Sequence, residues 1–235
     1  MTDTGQESRE LAFVAGATGP TGQAVVHRLL ELGIQTYAHV RQDHSDLDEW
    51  LDYFRDLGAE IDLTAWEQID ISNTLARIKP AYVFCLLGSN PRRMGHRGKH
   101  GYNPFIDGYE AVDNGLTTMM MRAVSSCGSN PRFIIASAVG ADEDARNEML
   151  AAKGKAETFL RNSSLRYTGI RIATLTGTPV EERRRGRWDR FLASLGLANE
   201  RYDIFPEEAA SLLVDVALDP GSIDTIYSPT EYLSA

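Results

Sequence analysis

The chain has 235 residues, 43% of them apolar, and a formal net charge of −9. That length and apolar share suit one domain with a sizeable core. The acidity excludes a protein that grips nucleic acid non-specifically, which needs a basic surface, and gives no support for an anionic-membrane partner.

The opening "MTDTGQESRE" is polar, unlike a signal or transit peptide, and residues 1–10 read as a disordered lead-in. "LAFVA" (11–15) is a short apolar strand, followed by "GATGPTG" and a helix carrying Val25, Val26, Leu29 and Leu30 that stops at Gly33. "QTYAHV" (35–40) is the second strand. "SDLDEWLDYFRDLG" is a second helix, with a serine N-cap and a stopping glycine. Residues 60–69 form a weak third strand, and "ISNTLARIK" a short helix ending before Pro80. "AYVFCLL" (81–87) is apolar throughout, as expected for the middle of a parallel sheet, and far shorter than the ~20 residues of a membrane span.

A polar loop, 88–104, precedes a helix whose apolar positions Ala111, Val112, Leu116, Met119, Met120, Ala123 and Val124 recur at helical spacing. "RFIIAS" (132–137) is the fifth strand, "NEMLAAKGKAETFL" (147–160) a helix and "RYTGIRIA" the sixth strand. The remainder, about 177–235, holds the helix "PEEAASLLVDVAL" and a strand near 223–228, and reads as a short C-terminal appendage on the same 11–235 domain. Such alternation predicts a doubly wound parallel α/β sheet. Two lone thiols, Cys85 and Cys127, point to a reducing compartment, so the cytoplasm is the expected location; no metal site is expected.

Gly16, Gly19 and Gly22 stand at G-x-x-G-x-x-G spacing between a strand and an amphipathic helix. Gly16 allows the sharp turn, Gly19 a close backbone approach by a pyrophosphate, and Gly22 tight helix–strand packing. The helix start then offers unpaired N–H groups to phosphate, and Pro20 there loses no needed hydrogen bond. The pattern predicts a dinucleotide site of Rossmann type. At the end of the second strand, where an acid would hold a ribose 2′-hydroxyl, stand Val40, Arg41 and Gln42, with no acid until Asp43. A guanidinium there suits a 2′-phosphate, so NADP(H) is the expected cofactor.

"GATGPTG", "AHVR", "VFCLLGSN", "AVDN", "RFIIASAVGAD", "KGKAE" and "LRYTGIR" follow the order seen in short-chain dehydrogenases/reductases. Across about residues 11–176 the chain most resembles their atypical, NmrA-like branch and its Tat-interacting-protein subgroup. The resemblance implies that Gly16, Thr18, Gly19, Thr21 and Gly22 cradle phosphates and that Arg41 meets the 2′-phosphate. It puts Asp70, near the end of strand three, beside the adenine amine, and Leu87, Gly88 and Ser89 along the adenosine side. Ser137 matches the serine that polarises a substrate carbonyl, and Lys153 the lysine that holds the nicotinamide ribose. Two positions depart from the family. Met149 stands where it has its tyrosine acid, and Arg171–Ile172 replaces its Arg-Pro after strand six.

Met149 has no proton to give. Tyr102, Tyr109, His96 and His100, on or beside the 88–104 loop, are substitute donors; water protonating an enolate is another route. "NPRRMGHRGKHGYN" (90–103) carries Arg92, Arg93, Arg97 and Lys99 and no acid. It reads either as a mobile lid that attracts an anionic substrate or as a solvated loop. "EERRRGRWDRF" (181–191), with Trp188, reads mainly as surface, with a protein-partner role as the alternative. Three functions remain open: a reductase of a small carbonyl or conjugated substrate, an NADP(H)-sensing binding protein, and a sugar-nucleotide epimerase. Neither nucleic acid nor membrane is an expected partner; a homodimer, for which the 109–126 or 144–161 helices could offer a face, and a protein partner stay open.

Overall fold

A strand covered on both faces favours apolar residues at successive positions, and the apolar runs of this chain become such strands. In the computed structural model, which describes residues 10–89, 108–172 and 204–228, seven parallel strands form one sheet. They are β1 (Leu11–Ala15), β2 (Gln35–His39), β3 (Glu60–Asp62), β4 (Tyr82–Cys85), β5 (Arg132–Ala138), β6 (Tyr167–Ile172) and β7 (Thr225–Tyr227), in the order β3-β2-β1-β4-β5-β6-β7. The order reverses between β1 and β4, which opens a crevice at the carboxyl ends of those two strands.

Six helices cover the two faces. α1 (Pro20–Glu31), α2 (Leu47–Leu57) and α6 (Pro206–Leu218) pack with Ala12, Val14, Phe84 and Ile134. α3 (Gln68–Ile78), α4 and α5 (Glu148–Arg161) pack with Phe13, Ala15, Val83 and Phe133. Here α4 is a π-helical turn, Glu110–Leu116, that runs straight into an α-helix, Thr117–Ser126. Alternate residues of one strand thus feed opposite cores, as the period-2 geometry of a strand requires.

The expected elements form, with four differences. α2 is entered at Asp46, one residue past the expected serine cap, and neither side chain caps the helix; it ends at Gly58 with φ +85°. β3 is only three residues long, Glu60–Asp62, and α3 starts at Gln68, three residues before the expected helix; Lys79 in a left-handed turn stops it before Pro80. The apolar pattern expected for α4 shifts in its first half. The π-helical turn carries an extra residue per turn, so Asp113 is buried while Ala111, Val112 and Leu116 are only partly so. The described part of the expected appendage is built into the domain: α6 packs on α1, and β7 pairs with β6 as the seventh strand. Arg132, 5% exposed at the start of β5, ties this segment down, its guanidinium donating to Ala217 O (2.8 Å), Asp219 O (2.7 Å) and Ser222 Oγ (2.6 Å).

The lead-in before Glu10, the basic loop from residue 90 to 103 with Tyr102, His96 and His100, and the 181–191 run lie outside the described residues. Among the described residues no helix is long and apolar enough to cross a membrane, and no cluster of His, Cys, Asp or Glu could hold a metal ion.

Candidate functional site

The three glycines do three different jobs. Gly16 has φ +82°, and a Cβ there would lie 2.7 Å from Leu86 O, so the turn after β1 presses on the end of β4. At Gly22 a Cβ would lie 2.1 Å from Gly16 O, so any side chain would drive α1 off the turn. Gly19 is different: it precedes the first residue of α1, its N–H donates to Gly16 O (3.1 Å), and an added Cβ meets only that oxygen, at 3.4 Å. The protein itself therefore tolerates a methyl at 19, while a diphosphate lying on the helix start does not. Gly19→Ala is accordingly expected to leave the melting temperature within ~2 °C but to weaken dinucleotide binding about tenfold. Thermal melting and calorimetry on the same sample check both halves.

One residue into α1, the Thr21 hydroxyl is buried with no hydrogen-bond partner. A buried donor left unmatched is costly, and a phosphate oxygen is the natural acceptor at a helix start. Pro20 at the first helical position fits the same arrangement. The residues present fit a dinucleotide.

A cleft of about 340 Å³ opens at this switch point, its walls including Gly16, Gly19, Arg41, Leu87, Gly88 and Ser89. A larger hollow, about 670 Å³, lies at the amino-terminal edge of the sheet beside Lys79, Pro80 and Cys127. That edge lacks the glycine turn, so the smaller cleft is where the chemistry belongs.

At the end of β2, His39 is 2% exposed and its Nε2–H donates to Thr64 O at 2.8 Å. Burial lowers its pKa; the Thr64 bond and Asp62, 3.8 Å away, oppose this more weakly. The ring is thus neutral near pH 7, with its proton on Nε2. Two residues on, Arg41 borders the cleft, and its ion-pair partner among the described residues is the well-exposed Asp43 carboxylate, Nε to Oδ1 3.8 Å. Asp70 is not near the end of strand three. It sits exposed in the first turn of α3, because β3 ends eight residues sooner at the buried Asp62. Asp62 accepts from Thr64 N (3.2 Å) and Thr64 Oγ1 (2.8 Å).

Lys153 lies on α5, one turn after Met149. Its Nζ is 2.9 Å from Asp113 Oδ1, and the Asp113 side chain is 1% exposed. The other oxygen of Asp113 accepts from the Ser89 N–H (3.0 Å) and from the Ser89 hydroxyl. This carboxylate fastens the lysine to the loop that leaves β4. "AVDN" was visible as a motif, but helical spacing gave no reason to turn its acid inward. The π-helical turn supplies that reason.

Ser137 is not joined to Lys153. Its hydroxyl donates to Glu157 Oε1 at 2.5 Å and it is 4% exposed. Glu157, fully buried, also accepts from Arg171 (Nε 3.0 Å, Nη2 2.7 Å) and from Arg161 Nη2 (2.8 Å). A hydroxyl so engaged is not presented to a carbonyl in the cleft. Tyr109 sits partly buried at the start of α4, four residues before Asp113. Cys85, behind the cleft, is buried and its thiol is pushed up to about 11, so it stays protonated.

Comparison with known proteins agrees with this geometry. The fold matches a protein provisionally named as an NAD-dependent epimerase/dehydratase from Bacillus halodurans, with a TM-score of 0.68, 21% identity, and coverage of 93% of this chain and 92% of that one. It also matches an oxidoreductase of the short-chain dehydrogenase/reductase family from Burkholderia thailandensis, with a TM-score of 0.66, 16% identity, and coverage of 94% and 91%. No curated protein sequence matches the chain. The profile of NAD(P)H-binding proteins matches residues 16–191, three quarters of the length, so the chain belongs to that NAD(P)H-binding family.

Proposed function

We propose that the protein binds NADP(H) in the cleft between β1 and β4 and reduces a small carbonyl or conjugated substrate without the family's usual tyrosine acid. The observation that carries the choice of NADP(H) is Arg41: a guanidinium, not a carboxylate, borders the cleft just past β2, where a dinucleotide fold is expected to receive the ribose 2′ position. Thr21, with its unmatched hydroxyl, supports the phosphate end. Lys153, held by Asp113, is the cation for the nicotinamide ribose.

When bound, NADPH supplies a hydride. Neither residue at the family's two donor positions supplies a proton: Met149 has none to give, and Ser137 directs its own to Glu157. An enone or quinone, whose reduced form takes its proton from water, asks least of such a site. The same two side chains favour a second reading, in which nucleotide occupancy itself is the signal.

A panel of enones, quinones and simple carbonyls separates the two. The reductase reading expects NADPH to be consumed with at least one conjugated acceptor, and Lys153→Ala to slow that turnover about tenfold while the fold is kept. Micromolar NADPH binding with no turnover across the panel would replace reduction by sensing.

A further inference from the structure

Trp66, four residues past β3, borders the same cleft together with Val112 and Leu116 of α4. Its indole rests on the His39 ring, centroids 4.2 Å apart and tilted by 46°. His39 is fixed in turn by its bond to Thr64 O and by Phe13, whose ring lies 6.0 Å away. The Trp66 N–H is buried and meets no acceptor. Folded proteins seldom leave such a donor unmatched, and each one that is left asks for an explanation.

We propose that Trp66 is the base-recognition residue of this cleft, its indole N–H donating to a ring nitrogen of the cofactor's purine. The inference rests on the dinucleotide reading above. An indole can only donate, so it selects an acceptor, and unprotonated adenine offers acceptors at N1, N3 and N7. The flat base also suits the apolar side chains of Val112 and Leu116. Because the N–H is covered in the free chain, the indole edge turns toward the base on binding, and its emission changes with it.

Titration calorimetry on the full chain and on Trp66→Phe tests this, with NADPH, 2′,5′-ADP and reduced nicotinamide mononucleotide as ligands. The phenyl ring keeps the packing on His39 and removes only the indole edge and its donor. The expected result is an about tenfold loss for both adenine-bearing ligands and no change for the mononucleotide. The ligand-free melting temperature stays within ~2 °C, since the donor makes no bond there. Equal affinity of both proteins for 2′,5′-ADP overturns the inference and leaves the cofactor reading standing. A wild-type chain that binds neither NADPH nor 2′,5′-ADP overturns both. Should the variant fail to fold, the 1-deaza, 3-deaza and 7-deaza analogues of 2′,5′-ADP decide on the wild-type protein. One of the three is expected to bind about tenfold more weakly, and three affinities equal to the parent's reject the assignment.

Discussion

Replacing Glu157 by alanine is expected to cost about 3–5 kcal/mol of stability, the range for removing one partner of a buried ion pair. The reason is the company it keeps. Its carboxylate takes hydrogen bonds from Ser137, Arg161 and Arg171 and is fully buried, so its loss strands the buried Ser137 hydroxyl and takes the counter-charge from two guanidinium groups. Those partners belong to β5, α5 and β6, which meet at this one side chain. For a chain of this size the melting temperature should fall by roughly 10 °C. Glu157→Gln keeps acceptor capacity for Ser137 but not the charge, and should lie between alanine and wild type. Urea unfolding measures all three; a Glu157→Ala midpoint equal to that of the wild type would show that the cluster stabilises nothing.

The second large effect is on affinity. Arg41→Glu should weaken NADPH binding about a hundredfold, by losing a charge-assisted contact and by setting a carboxylate against the 2′-phosphate. The same carboxylate can accept from an unphosphorylated ribose hydroxyl, so NADH affinity should hold or rise. The stability of the free chain should hardly move, because among the described residues Arg41 has only the exposed Asp43, 3.8 Å away, as an ion-pair partner. Calorimetry with both cofactors gives the ratio directly, and an unaltered preference would remove the case for NADP(H).

Much of this architecture could be read from the residues. Parallel strands covered on both sides leave unbroken apolar runs, and the runs at 11–15, 81–87 and 132–137 became β1, β4 and β5. The glycine spacing placed the turn between β1 and α1, because only glycine fits where the chain presses on Leu86 O and on itself. The missed pairings share one cause. Asp113 with Lys153, and His39 with Trp66, are far apart along the chain, and side-chain periodicity carries no distance between elements. Asp70 was placed wrongly because a three-residue strand has too little pattern to mark its own end. Glu157 stood in a legible "KG" motif, yet its partnership with Ser137 and Arg171 needs the β5–β6 register, which pairs those two residues side by side.

The packing of α6 on α1 bears on how the chain acquires its shape during synthesis. The first amphipathic helix to emerge rests on one of the last, nearly 190 residues downstream. Val25 and Leu29 therefore stay partly uncovered until residues 206–218 have been translated, and closure of that side waits on contacts of long sequence separation. A nascent chain of this kind is most in need of chaperone protection just before residues 206–218 are made.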